Sequence, residues 1–326
     1  MKGIALLAGG SNVELACKIQ SELNRINETH IRDLQVPEIK IIDAALRRFA
    51  DGECYCAIQD TVRGSHLFII QSVATPVNDN LMELLIMIDA ARRASAGVIT
   101  AVVPYLGYMR QDRKVARRDP ISARLVANMI EAAGADRVLA MDLHANQIQG
   151  FFNIPVDNLS GAKVFSEYLT NNIDLSNAIA VSPDTGGTVR TRKFAARLGI
   201  DRIAIIDKVR ERANQSEVMN VIGNVRGKDC IIFDDIIDTA GTLCNAAEAL
   251  VTIGKAKSVI ACASHGILSK DAVTKINNSY LRKVFLLDTI SKDINLNNFQ
   301  YLTCSKLIAE AIDNIYRDTS FDRSGL

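Results

Sequence analysis

The chain has 326 residues, which corresponds to roughly two domains at ~150 residues each, and 48% of it is hydrophobic, ample for a sizeable core. Its net charge of +1 gives no global pull toward nucleic acid or an anionic membrane, and no run approaches the ~20 apolar residues of a membrane helix. Seven scattered cysteines without a CxxC pair argue for reduced thiols in a soluble, cytoplasmic protein, and against a disulfide frame or a zinc site.

The opening Met1–Gly10 is too short an apolar run for a signal peptide and reads as a first strand. Strand-like runs then recur at Ile4–Ala8, Ile39–Asp43, Leu67–Val73, Val98–Pro104, Arg137–Leu143, Ile179–Ser182, Ile203–Asp207, Cys230–Asp234, Val259–Ser264 and Val284–Asp288. Helical patterns lie between many of them. In Asp79–Ser95, Leu81, Leu84, Leu85 and Ile88 mark one face, widened by Met82 and Ile86, so a deeply buried helix is expected. Asp119-Pro120 has the form of an N-cap followed by a first-turn proline, with Ile121, Leu125 and Met129 spaced four apart and Gly134 at the end. Alternating strands and helices argue for parallel α/β sheets covered on both faces. The boundary falls near Pro155–Gly161, giving domains 1–158 and 159–326 built from two similar sets of strands, with the last helix able to pack on the first domain.

Polar clusters follow several of these strands. Phe49-Ala50-Asp51-Gly52-Glu53 is by default a hairpin turn, yet Asp51 and Glu53 could accept from an adenine amino group or a ribose hydroxyl. Arg110-Gln111-Asp112-Arg113-Lys114, with Arg117 and Arg118, is a dense cationic loop. Charge runs are usually solvated faces, but after a strand of an open α/β sheet this one more plausibly meets nucleotide phosphates, and a nucleic-acid role ranks last. His144, one of four histidines, follows a strand end with Asp142 two residues before it. A satisfied structural histidine is the ordinary expectation and a metal role the sharper one.

Ser182-Pro183-Asp184-Thr185-Gly186-Gly187 ends a strand in a carboxylate and two glycines that allow close backbone approach, although Gly-Gly helix entries are common without function. Lys208–Gln215 is long, polar and cationic. It should be mobile, and it could close over a transferring phosphoryl group.

The most informative stretch is Cys230–Thr242. A short apolar run ends in Asp234-Asp235, a polar turn follows, and Leu243, Ala246, Ala247 and Leu250 continue at helical spacing until Gly254. Backbone N–H groups of Asp238 to Thr242 would stand at a helix N-terminus, where an anion is favoured. Gly241 allows close approach, Thr239 and Thr242 offer hydroxyls, and the two carboxylates could accept from vicinal sugar hydroxyls. A solvated, Thr-capped loop is the plainer alternative. Two carboxylates closing an apolar strand are costly without a ligand, metal or donor, which favours a binding role.

This stretch resembles the phosphoribosyl-diphosphate (PRPP) loop of type I phosphoribosyltransferases and ribose-phosphate pyrophosphokinases. With the clusters before it, from about Phe49 to about Asp288, the chain resembles class I ribose-phosphate pyrophosphokinases of bacterial type, or PRPP synthetases. Asn78–Ile88, Met141–Leu159 and Val181–Gly187 are especially close to the family pattern, and the Arg110-Gln111 half is what a plain phosphoribosyltransferase lacks. The resemblance implies two phosphoribosyltransferase-type I domains, each a mostly parallel sheet flanked by helices. It implies attack of the ribose 5-phosphate 1-hydroxyl on the β-phosphorus of ATP, giving PRPP and AMP for nucleotide biosynthesis.

By resemblance, Asp51, Gly52, Glu53, Arg110 and Gln111 hold ATP in the first domain. His144 and Asp184 bind magnesium, for which manganese is the alternative because an imidazole suits it better. Lys208 and Arg210 stabilise the transition state, and Arg210, Asp234, Asp235, Asp238, Thr239, Ala240, Gly241 and Thr242 bind ribose 5-phosphate. No Walker or GxGxxG loop occurs, which agrees with this family. The family forms hexamers built from dimers, so a homo-oligomer with phosphate and ADP effectors is implied.

Four departures stand out. Ala50 replaces a usual Ser, Val209 replaces an Arg common in bacterial members, Asn27–Pro37 reads as an expanded surface loop, and Asp313–Leu326 differs from the usual ending, where a serine-containing loop helps bind the effectors. The competing readings are a non-catalytic regulatory homologue and a phosphoribosyltransferase. Intact Lys208, Arg210, His144 and Asp234–Thr242 argue against the first, and the Arg110-Gln111 half argues against the second.

Overall fold

The computed structural model describes residues 3–30, 38–209, 218–292, 294 and 296–320. The chain divides into two compact units. Unit 1 takes residues 1–160, 289–291 and 303–326, and unit 2 takes 161–288 and 292–302.

Unit 1 is organised on a five-stranded sheet of β1 (Ile4–Ala8), β4 (His66–Ile70), β5 (Val98–Val103), β6 (Arg137–Met141) and β7 (Val156–Leu159), side by side in that order and all parallel. Its central strands read as unbroken apolar runs because both faces are covered. Every residue of β4 is buried, and so are Ile99 through Val103 of β5. The covering helices are α1 (Val13–His30), α2 (Val77–Arg93), α3 (Ser122–Ala133) and α8 (Ser305–Tyr316). A separate antiparallel hairpin, β2 (Ala44–Arg48) and β3 (Cys54–Ile58), lies against α2, where Arg48 pairs with Asp79 at 3.6 Å.

Unit 2 has seven strands in the order β10-β9-β8-β11-β12-β13-β14. They are β8 (Ala178–Ser182), β9 (Ile203–Val209), β10 (Val218–Ile222), β11 (Asp229–Ile237), β12 (Ser258–Gly266), β13 (Leu281–Leu287) and β14 (Phe299–Leu302). All pair in parallel except β10, which runs antiparallel to β9. Helices α4 (Ala162–Asn172), α5 (Thr188–Arg197), α6 (Gly241–Thr252) and α7 (Ala272–Asn277) complete it. From β8 the chain moves through α5 to β9 on one side, then returns as β11 on the other. The β8/β11 junction is therefore a topological switch point, the place where open α/β sheets bind ligands beyond the strands' carboxyl ends.

Several expectations need correction. Ile39–Asp43 forms only a single parallel bridge, Ile41 to Leu6, because Asp43 N–H turns to Asp60 Oδ2 (2.7 Å) and the chain leaves for the hairpin. Asp119 does not cap α3. Its carboxylate accepts from the N–H groups of Val115 and Ala116 (3.2 and 2.7 Å), and the helix starts later, at Ser122 behind Ile121. The buried face of α3 is Ala123, Val126, Ala127 and Ile130, where two alanines permit a close approach, while Leu125 is 60% exposed. Met82 of α2 likewise faces outward, and Asn27–His30 is the last turn of α1 rather than loop. β7, β10 and β14 are short edge strands with no counterpart among the strand-like runs of the sequence.

Candidate active site

β11 outlasts its neighbour β8. It pairs with β8 only through Asp229–Ile232, but with β12 as far as Ile237. The strand thus continues past Asp234, where the apolar pattern stops, because β12 still supplies backbone partners. Asp234 and Asp235 lie in the stretch of β11 beyond Ile232, where the ladder to β8 has ended.

Asp235 is 4% exposed and Asp234 is partly covered. Asp234 Oδ1 accepts the N–H of Asp235 at 2.9 Å. Arg190 of α5 donates from Nη1 to Asp235 Oδ1 at 2.6 Å and to Asp234 Oδ1 at 3.3 Å. Burial, and then the neighbouring Asp235 charge, push the Asp234 carboxyl well above the usual range, opposed by the Arg190 guanidinium.

Beyond β11 the turn Asp238–Ala240 leads into α6. Ala240 adopts a left-handed φ of 60° at the N-cap, and a Cβ placed on Gly241 would meet nothing within 4 Å, so the space over the helix entrance is open. The loop after β12 braces this turn. Ser269 Oγ donates to Asp238 Oδ1 at 2.5 Å, Ser269 N–H to Asp238 O at 3.0 Å, and Leu268 N–H to Ile237 O at 3.1 Å. Lys292 Nζ in turn bonds the carbonyl oxygens of Ile267 and Leu268. Burial lowers the Lys292 pKa, and the Asp238 charge opposes that shift.

Across the switch point, the loop after β8 is equally ordered. Ser182 Oγ donates to Asp184 O (2.7 Å) and Gly187 N–H to Asp184 Oδ1 (2.8 Å). A Cβ on Gly187 would lie 2.9 Å from Ser182 Oγ, so the glycine is needed for this packing. Unit 2 therefore brings Asp184, Asp234, Asp235 and Asp238–Thr242 to one end of its sheet. Lys208 lies in β9 opposite Met219 of β10, so the strand runs through Val209 rather than ending at Asp207. Arg210 and the rest of the expected closing segment, 210–217, lie outside the described residues.

Unit 1 carries the remaining candidates. Asp51, Gly52 and Glu53 form the exposed turn of the β2–β3 hairpin. It is closed by Phe49 N–H to Glu53 O (2.9 Å) and Glu53 N–H to Asp51 Oδ1 (3.1 Å), with Gly52 at φ 96°. Arg110 and Gln111 follow β5, and His144, exposed, follows β6. Gln147 Nε2 to Asp112 Oδ2 (3.0 Å) ties the loops after β5 and β6 together. His144 and Asp184 belong to different units. Arg190, Ser269 and Lys292 also belong to that end of unit 2 and carry no motif in the sequence. Arg190 reaches Asp234 and Asp235 in β11, Ser269 reaches Asp238 in the turn after it, and Lys292 holds the loop that carries Ser269; none stands in a pattern that sequence spacing would single out.

A left-handed helix entrance with open space beside Gly241, next to two carboxylates at a switch point, is an arrangement in which open α/β folds bind anionic ligands. A family model described as the N-terminal domain of ribose phosphate pyrophosphokinase matches residues 4–134, and one described as a phosphoribosyl synthetase-associated domain matches 207–323. The ribose-phosphate pyrophosphokinase of Clostridium perfringens is 50% identical over 321 residues, covering 97% of this chain and 96% of that protein. That of Brucella melitensis is 52% identical over 310 residues, covering 94% and 95%. Phosphoribosylpyrophosphate synthetase from Mycobacterium smegmatis superposes with a TM-score of 0.87 at 37% identity, covering 97% of this chain and 99% of that one. The chain belongs to the ribose-phosphate pyrophosphokinase family of enzymes.

Proposed function

We propose that this chain is a ribose-phosphate diphosphokinase that uses ATP and ribose 5-phosphate to make PRPP and AMP for nucleotide biosynthesis. In the reaction the 1-hydroxyl oxygen of the sugar forms a bond to the β-phosphorus of ATP. The bond from that phosphorus to the α,β-bridging oxygen breaks, AMP departs, and the hydroxyl proton is released. Such a transfer needs positioning and charge neutralisation more than covalent help.

The observation that carries this reading is the end of β11, where carboxylates suited to ribose hydroxyls adjoin an open helix entrance suited to the 5-phosphate. Asp238, Thr239, Ala240, Gly241 and Thr242 are the phosphate loop, and Asp234 and Asp235 are the hydroxyl acceptors. Asp51, Gly52, Glu53, Arg110 and Gln111 are assigned to ATP, and Lys208 and Arg210 to the transferring group, on the family resemblance.

A divalent metal suits the donors present. Asp184 offers a hard carboxylate held in place by the Gly187 N–H, and His144 offers an exposed imidazole. On the family resemblance each is assigned to Mg2+ binding, with Mn2+ as the alternative, and a bound ion would neutralise charge on the phosphate oxygens. A homo-oligomer with phosphate and ADP effectors and a cytoplasmic location complete the reading. No described helix is long and apolar enough to cross a membrane.

The test is a product assay with purified protein, ribose 5-phosphate, ATP, magnesium and phosphate. Equimolar AMP and PRPP are expected. ADP in place of AMP would mean a single-phosphate kinase, and no product with both ligands bound would mean a regulatory homologue.

A further inference from the structure

Neighbouring residues of a strand point to opposite faces, so two adjacent carboxylates have no intrinsic reason to act together. Here one side chain joins them: Arg190 Nη1 lies 2.6 Å from Asp235 Oδ1 and 3.3 Å from Asp234 Oδ1. Its own placement is over-determined. Phe194 is one helical turn on and shares a face with Arg190. The Phe194 ring stacks on Phe233, the residue just before Asp234, with centroids 4.3 Å apart and an interplanar angle of 22°. Both rings are fully buried, and Phe165 closes on Phe233 edge-on at 6.0 Å. This stack fixes the register of α5 over β11. At its other end α5 is preceded by its N-cap Gly187, whose N–H donates to Asp184 Oδ1, so Arg190 is the third residue of the helix that leaves the Asp184 loop.

The two carboxylates repel each other in a buried setting, which favours uptake of a proton by the pair, and the Arg190 guanidinium opposes that uptake. A protonated acid has fewer acceptor sites for sugar hydroxyls. Arg190 is a cation that reaches both. A guanidinium suits the task because it keeps its charge when partly buried and offers several donors in fixed geometry.

We propose that Arg190 is a positioning residue for the acceptor substrate: it holds Asp234 and Asp235 as a paired acceptor for the vicinal ribose hydroxyls before the sugar arrives, with the Phe194–Phe233 stack setting its reach. This rests on the assignment of Asp234 and Asp235 to the sugar. It makes Arg190 part of the selection for a cis-diol sugar phosphate rather than of the phosphoryl transfer itself.

The experiment compares full-length wild type with Arg190→Gln and Arg190→Lys by steady-state kinetics, and by calorimetric titration with ribose 5-phosphate alone. Loss of the two charge-assisted contacts is expected to raise KM and Kd for ribose 5-phosphate roughly 10- to 100-fold in Arg190→Gln. The KM for ATP is expected to stay within about twofold, because the lost interaction concerns one substrate. Arg190→Lys is expected to recover part of the sugar affinity. A folded Arg190→Gln that binds ribose 5-phosphate as tightly as wild type overturns the inference, and so does an equal rise in both KM values. Should Arg190→Gln not fold, Phe194→Leu serves instead, with a severalfold weaker sugar affinity and unchanged ATP affinity expected; unchanged sugar affinity there again overturns it. Wild type that binds ribose 5-phosphate but releases no PRPP refutes the proposed reaction and leaves the Arg190 comparison readable in the titration. Wild type that binds no ribose 5-phosphate overturns both.

Discussion

His66 gives unit 1 an acid-labile point whose size follows from its surroundings. It opens β4 at 4% exposure, stacks on Phe68 with centroids 4.2 Å apart, and shares a hydrogen bond between Nε2 and Thr100 Oγ1 at 2.8 Å. Its Nδ1 is buried without a hydrogen-bond partner. Burial first, and then the positive charge of Arg137, push its pKa down from 6.5 to about 4, against the opposing charges of Asp136 and Asp318. The folded chain therefore keeps the ring neutral where the unfolded chain would protonate it. The stabilisation is fully present above about pH 6.5, falls as pH drops toward about 4, and is gone below that. At ~1.4 kcal/mol per pH unit the whole effect is roughly 3 kcal/mol, of which about 2 kcal/mol is lost by about pH 5. Urea unfolding of wild type and His66→Gln at about pH 7.5 and about pH 5 reads it out, with wild type expected to lose about 2 kcal/mol more than the variant. Equal losses in the two proteins would refute the reasoning.

The other expectations concern the site. Lys208→Ala should lower kcat by orders of magnitude with ATP still bound; an unchanged kcat removes Lys208 from the mechanism. Asp238→Ala should mainly weaken ribose 5-phosphate binding, and an unmoved sugar-phosphate Kd in a titration would show the loop assignment to be wrong. Ser269→Ala removes the donor to Asp238 Oδ1 and should raise the ribose 5-phosphate KM by roughly 10-fold, the scale of one charge-assisted bond, with kcat nearly unchanged. Asp234, raised by burial, should leave an acid limb in the pH profile of the ribose 5-phosphate KM above the usual carboxylate range, with sugar affinity falling as pH falls through it. That limb should disappear in Asp234→Asn; its persistence there would assign it to another group.

The parts of the site legible in the sequence are those that a single strand and its following turn define. Cys230–Thr242 could be read because an apolar run that ends in two carboxylates has few bland explanations. The parts hidden from it come from elsewhere in the chain. Arg190 looks like any exposed helical arginine until Phe194 is seen against Phe233, and Ser269 has no local signal at all. Fold-level errors have the same origin. The Ile121, Leu125 and Met129 row has ideal helical spacing, yet Leu125 faces outward because the alanines at 123 and 127 let the opposite face approach the sheet. Asp119-Pro120 has the form of a helix start, but the Asp119 carboxylate satisfies the loop before it. Polarity at Asp234 and Asp235 marks a strand end in the sequence, whereas backbone pairing with β12 continues to Ile237.

The return of the chain to unit 1 has a consequence for how the protein is made. Unit 1 begins at the amino terminus, but α8, its last helix, packs against α1, and Leu307, Ile308, Ile312 and Ile315 of α8 are buried. A nascent chain on the ribosome completes every residue of unit 2 before it releases the segment that finishes unit 1. The half synthesised first is thus the half finished last. Until α8 emerges, the face of α1 that α8 covers stays without its partner, so a stop codon ahead of Ser305 would injure unit 1, most of which is made before unit 2.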